Sequence, residues 1–154
     1  MYTVVDIIDK IIEIDEKSVE LYKLLQRNLT ISDHARLVAG VFIREEERHI
    51  NTYKKIKEEI SNIEEAQIDF DIYDTISKII SAFKNELIYK EVYEVREILI
   101  DALDFKQKHL ALVVRIQGLL VRKSEDIESI SYKVLTRIIY EEKRHVEIIE
   151  AFLR

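Results

Sequence analysis

Apolar residues recur along most of this chain at alternating steps of three and four, the spacing that turns one face of an α-helix inward. The first such stripe is Val4, Ile8, Ile11, Asp15, Ser18, Tyr22, Leu25 and Leu29. The polar pair Ser32 and Asp33 offers a cap for a second helix, whose stripe reads Val38, Phe42, Glu46, His49, Tyr53, Ile56 and Ile60. The periodicity lapses over SNIEEAQIDF (61–70), which reads as a connection. A shorter amphipathic stretch follows, with Ile72, Ile76, Ile80, Phe83 and Leu87 on one side. A third long stripe runs through Val95, Leu99, Ala102, Lys106, His109, Val113, Ile116 and Leu120. After VRKSED, where Ser124 can cap, the fourth gives Ile127, Ser131, Leu135, Ile138, Glu142, His145, Ile149 and Phe152.

Four helices with one apolar stripe each predict an all-α four-helix bundle. Residues 1–154 form one domain by the usual size prior, with a long crossover containing a short helix over about residues 61–90. The segments YTVVDIIDKIIEIDEKSVELYKLL (2–25) and YEVREILIDALDFKQKHLALVVRI (93–116) align without a gap. Each is followed at a similar distance by Glu-x-x-His, in REEERHINTY and YEEKRHVEII. The chain therefore reads as two copies of one helical hairpin.

Composition sharpens this reading. With no proline, two glycines and no cysteine, the chain has little turn punctuation and neither disulfides nor thiolate metal sites. A net charge of −6 without a basic tract argues against a nucleic-acid partner. No apolar run approaches the ~20 residues of a membrane span, and MYTVVDIID does not read as a signal peptide, so a cytoplasmic location is expected. Abundant Ile, Glu and Lys suggest a thermophilic source.

What changes the picture most is the polar residues on the apolar stripes. Asp15 and Ser18, Glu46 and His49, Lys106 and His109, and Glu142 and His145 each form an i, i+3 pair in mid-helix. Antiparallel packing brings the four pairs to one level. An unpaired charge there would cost several kcal/mol, so these groups must satisfy one another or bind something. Carboxylates and imidazoles are natural metal ligands, and i, i+3 spacing aims both side chains of a pair at one point.

With these residues in place, the chain resembles the ferritin-like superfamily, in particular a rubrerythrin-type diiron-carboxylate protein without a rubredoxin domain. The resemblance covers nearly the whole chain. It implies a ferritin-like bundle of two duplicated hairpins, with Glu46 and Glu142 as the carboxylates between two metals and His49 and His145 as the imidazole on each. Asp15, seven residues before Tyr22, matches the family's first-helix Glu. The repeat places Lys106 where the third-helix Glu belongs, and His109 where some rubrerythrins carry a further carboxylate. An ammonium cannot ligate a metal until it is deprotonated.

By resemblance, the expected function is peroxide or dioxygen detoxification at a site of one or two iron ions, with manganese or zinc as further candidates. An external electron donor such as a rubredoxin, and pairing as a homodimer, are implied in the same way. Tyr22, Tyr53 and Lys106 are the candidate reactive groups beside such a metal. Three carboxylates and one ammonium sum to −2, which balances one divalent ion. The charge count thus points to one well-formed position near Asp15, Glu46, His49 and Glu142, with His145 and His109 completing it or holding a weaker second position. Three alternatives stay open. Glu16 competes with Asp15, the run Lys106-Gln107-Lys108 offers other residues to the surface if the register is shifted, and the cluster can be a metal-free relic of the fold. A helical adaptor is a further, separate reading.

Overall fold

The computed structural model describes residues 2–63, 67–91 and 94–154. Residues 64–66 of the expected connection, and Tyr93 at the start of the second repeat, lie outside the described residues. Among the described residues the chain is helical almost throughout: α1 (Val4–Arg27), α2 (Asp33–Ser61), α3 (Phe70–Glu86), α4 (Val95–Leu119), a 3-10 turn (Ser124–Glu128) and α5 (Ile130–Leu153). The all-α bundle expected from the stripes is present. None of these helices is long and apolar enough to cross a membrane.

The helix starts follow from short polar side chains that satisfy otherwise orphaned amide groups. Thr3 accepts from the Val5 amide, while Asp6 accepts from the Thr3 amide at 2.8 Å, forming a capping box. Ser32 caps α2 through the Ala35 amide at 3.0 Å. Ser129 caps α5 through the Tyr132 amide at 3.1 Å. This last cap corrects the sequence expectation, since Ser124 opens the 3-10 turn instead. Ile127 is consequently exposed rather than buried on the α5 stripe.

The closest backbone pairings join α1 to α2 and α4 to α5, the two expected hairpins. Arg36 of α2 donates to the Gln26 and Asn28 carbonyl oxygens, closing the open end of α1. Gln117 of α4 donates to the Tyr132 carbonyl and to Thr136 Oγ1, holding the second hairpin at its turn. The hairpins meet through contacts of α2 with α4 and α5. Helix α3 lies against α1 and α4, burying Ile76 and Ile80. Its approach is fixed by a single antiparallel bridge, in which the Ile68 amide donates to the Tyr2 carbonyl, and by Tyr2 stacked on Tyr73 at 3.7 Å.

Most of the Ile, Leu and Val on the four stripes enter one continuous core. The stripe ends do not. Leu29 is 92% exposed and Phe152 72% exposed, because the first lies past the end of α1 and the second in the last turn of α5.

Ser129→Ala should lower the unfolding free energy by about 1 kcal/mol through loss of the α5 cap. Ser124→Ala should change it by less than about 0.5 kcal/mol. Urea denaturation of both variants checks the assignment, and the reverse ranking would contradict it.

Candidate metal centre

Each helix of the two hairpins delivers its polar pair to the bundle interior. Asp15 and Ser18 come from α1, Glu46 and His49 from α2, Lys106 and His109 from α4, and Glu142 and His145 from α5, and all eight are buried. The helical period decides which neighbours turn inward. Asp15 is buried while Glu16 is exposed, and Lys106 is only 1% exposed while Gln107 and Lys108 face outward. Both register alternatives are thereby resolved in favour of Asp15 and Lys106. His34, at the start of α2, is exposed.

At the centre is the Lys106 ammonium. Its Nζ lies 2.7 Å from Glu46 Oε1, 3.4 Å from Glu142 Oε2 and 3.8 Å from Asp15 Oδ1. Burial opposes the charged ammonium, but the Glu142, Glu46 and Asp15 carboxylates outweigh it and hold Lys106 protonated, above the usual lysine range. The carboxylates respond differently. Burial raises Asp15 well above the usual range against the pull of Lys106, with Glu46 and Glu142 adding to the rise. Glu46 is also raised, again by burial first and against Lys106. Burial pushes Glu142 up as well, but Lys106, His109, His49 and the Tyr53 hydroxyl overcome it and hold it at about 2. Tyr53 donates to Glu142 Oε1 at 2.6 Å. Burial thus dominates at Asp15 and Glu46, and the surrounding donors and Lys106 dominate at Glu142.

The three buried imidazoles stay neutral. His49 and His109 are lowered to about 4 and His145 to about 3, in each case by burial first, with the nearby Lys106 charge acting the same way. A neutral imidazole presents a lone pair, the form that binds a metal.

Among the described residues, seven buried polar atoms have no hydrogen-bond partner: Asp15 Oδ1 and Oδ2, Glu46 Oε2, His49 Nδ1, both ring nitrogens of His109, and His145 Nδ1. Each such atom costs about 1–3 kcal/mol when it is desolvated and left unpaired. All seven belong to carboxylate and imidazole side chains of this one cluster. The cluster divides into two sets of residues, each residue offering one ligand atom within 4.8 Å of the others in its set: Glu46, His49 and His145, and Asp15, His109 and Glu142. The expectation instead put Asp15, Glu46, His49 and Glu142 around one position, with His145 and His109 completing it or holding a second. His145 of the second Glu-x-x-His turns toward the α2 pair, while its companion Glu142 turns toward α1 and α4. The His49 and His145 rings meet edge to face at 4.8 Å.

Aromatic side chains wall the cluster. Phe105 and Phe83 lie 5.6 and 5.9 Å from His109, and Phe42 lies 6.4 Å from His145. Phe83 comes from α3, so the crossover helix contributes to the site, a role that sequence reasoning missed. Its only signal was the apolar stripe of the 72–87 stretch. Of the two candidate tyrosines, Tyr53 donates to a site carboxylate, and Tyr22 is packed through its ring on Phe42 at 5.5 Å.

No protein-family model, curated protein or solved structure matches this chain.

In metal-free protein at about pH 5.5, below the ordinary histidine value near 6.5, 15N shifts of His49, His109 and His145 should be those of neutral tautomers. A titration midpoint near the ordinary value for any of the three would contradict this. Lys106→Met, which leaves the carboxylates without their counter-ion, should destabilise the metal-free protein by about 3–5 kcal/mol in chemical denaturation.

Proposed function

We propose that this chain is a ferritin-like, rubrerythrin-type metal protein, cytoplasmic and homodimeric, that uses iron against peroxide or dioxygen. The observation that carries the reading is the set of seven unpartnered ligand-type atoms converging in one buried cluster. The duplicated hairpin, the long crossover and the two Glu-x-x-His pairs support the ferritin-like assignment. The donor set fits a first-row divalent ion, because neutral imidazoles and carboxylates suit iron, with manganese and zinc as competitors.

Glu46, His49, His145, Asp15, His109 and Glu142 are the residues available to hold metal. Iron, when bound, supplies electrons to the small oxidant, and an external donor such as a rubredoxin restores them, since this chain has no cysteine of its own for such a role. The chain's residues have separate tasks. Lys106 offsets carboxylate charge and offers N–H donors in the interior. Tyr53 fixes the orientation of Glu142 by donating to its Oε1. Phe83, Phe105 and Phe42 exclude bulk water from the imidazoles.

A second reading, a metal-free relic of the fold, is favoured by Lys106 alone, because one ammonium already faces all three carboxylates.

The two readings separate on anaerobic loading with iron(II). If the cluster holds iron, the desalted chain should retain it, and free ion at about 100-fold above the dissociation constant should raise Tm by roughly 5–10 °C. Added peroxide should then oxidise the bound iron, followed by stopped-flow absorbance. A protein that retains no metal and shows no change in Tm would establish the relic.

A further inference from the structure

Given that the cluster holds metal, the question is how many ions it takes and where. The seven unpartnered atoms divide three and four between its two halves, and the halves differ in how many carboxylates the ammonium faces, one in the first and two in the second. On Glu46, Oε1 receives the Lys106 ammonium at 2.7 Å while Oε2 has no partner. His49 Nδ1 and His145 Nδ1 are likewise without partners, and one ligand atom from each of these three residues falls within 4.8 Å of the others. This half offers one carboxylate and two imidazoles with Lys106 still in place.

The other half has four unpartnered atoms, both oxygens of Asp15 and both ring nitrogens of His109, but both of its carboxylates face the same ammonium. Lys106 Nζ lies 3.4 Å from Glu142 Oε2 and 3.8 Å from Asp15 Oδ1, and His109 Nδ1 is 3.6 Å from each of the same two oxygens. Tyr53 occupies the remaining oxygen of Glu142. A metal here would need its oxygen ligands at about 2.0–2.2 Å, in the space toward which the ammonium points. Charge gives the same answer. Three carboxylates and one ammonium carry −2, so one divalent ion brings the interior to zero, whereas two would leave +2 buried beside a protonated lysine.

We propose that the chain holds a single divalent ion on Glu46, His49 and His145, and that the Lys106 ammonium permanently takes the place of a second. The Glu46 carboxylate then serves both the ion and the ammonium, its Oε1 lying 2.7 Å from Lys106 Nζ and 3.9 Å from His145 Nδ1. Two imidazoles and one carboxylate form the ligand set of mononuclear iron(II) centres that keep open coordination positions, a different class of site from a carboxylate-bridged metal pair. The same set takes cobalt(II) or zinc(II) in preference to magnesium or calcium, which favour all-oxygen surroundings.

The test uses the full chain titrated anaerobically with cobalt(II), with metal counted by elemental analysis after desalting. One ion per chain is expected for the unaltered protein and for His109→Phe, and none for His145→Phe. In Lys106→Glu the count should rise toward two. Independently of any variant's folding, proton NMR of the cobalt-loaded unaltered protein should show two paramagnetically shifted imidazole N–H signals. Two ions per chain in the unaltered protein would overturn the single-ion inference and leave the metal-binding reading standing. So would one or three shifted imidazoles, or loss of binding in folded His109→Phe with retention in His145→Phe. No binding of cobalt(II), iron(II) or zinc(II) would overturn both.

Discussion

A lysine ammonium enclosed by three carboxylates in a dry interior is the constraint on which the rest of this bundle depends. Taking any one of these charges out of water alone is costly, and the four become tolerable only when they are held within a few ångströms of one another. Asp15, Glu46, Lys106 and Glu142 come from four different helices, so the requirement fixes the level of each helix against the other three. Apolar stripes alone would permit a helix to slide by a turn with modest loss. The ion cluster does not, because a slide of one turn would separate Lys106 from Glu46 and leave both charges buried and unpaired.

Around that fixed point the interior is short of hydrogen-bond partners for its carboxylates and imidazoles. Tyr53 and Lys106 supply a few, and the imidazoles, kept neutral by burial and by the nearby ammonium, leave nitrogen lone pairs unused. Isoleucine and phenylalanine line the remaining walls and have no polar atoms to offer. An interior of this kind gains from any cation that can enter it, and the unused atoms mark where the gain is greatest.

Much of this was legible in the sequence because helical periodicity and burial follow the same rule. A polar residue on an apolar stripe at Asp15, Glu46, His49, Lys106, His109, Glu142 or His145 had to be interior, and each is. The stripe ends were less legible. Leu29, Ile127 and Phe152 keep the period but lie where no partner helix reaches, and periodicity carries no information about the length of a neighbour. Ser124 and Ser129 are both suitable caps by residue type, and only the 3-10 turn between them decides which one caps α5. The partition of ligands into two sets depends on side-chain torsions, which the spacing in Glu-x-x-His leaves free. The contribution of Phe83 required knowing that α3 folds back against α1 and α4.

The repeat has a corollary for how the chain can assemble. An α1–α2 hairpin paired with a copy of itself would bring together two aspartates, two glutamates and two histidines with no ammonium among them. An α4–α5 hairpin paired with itself would instead combine two ammoniums, two carboxylates and four imidazoles. The first is strongly self-repelling and the second has no excess negative charge left to attract an ion. Two halves that look like copies have thus become obligate complements, and only exchange of an α1–α2 hairpin for the α1–α2 hairpin of another chain would preserve the balance, so that any swapped dimer of this protein must rebuild the same mixed pair twice.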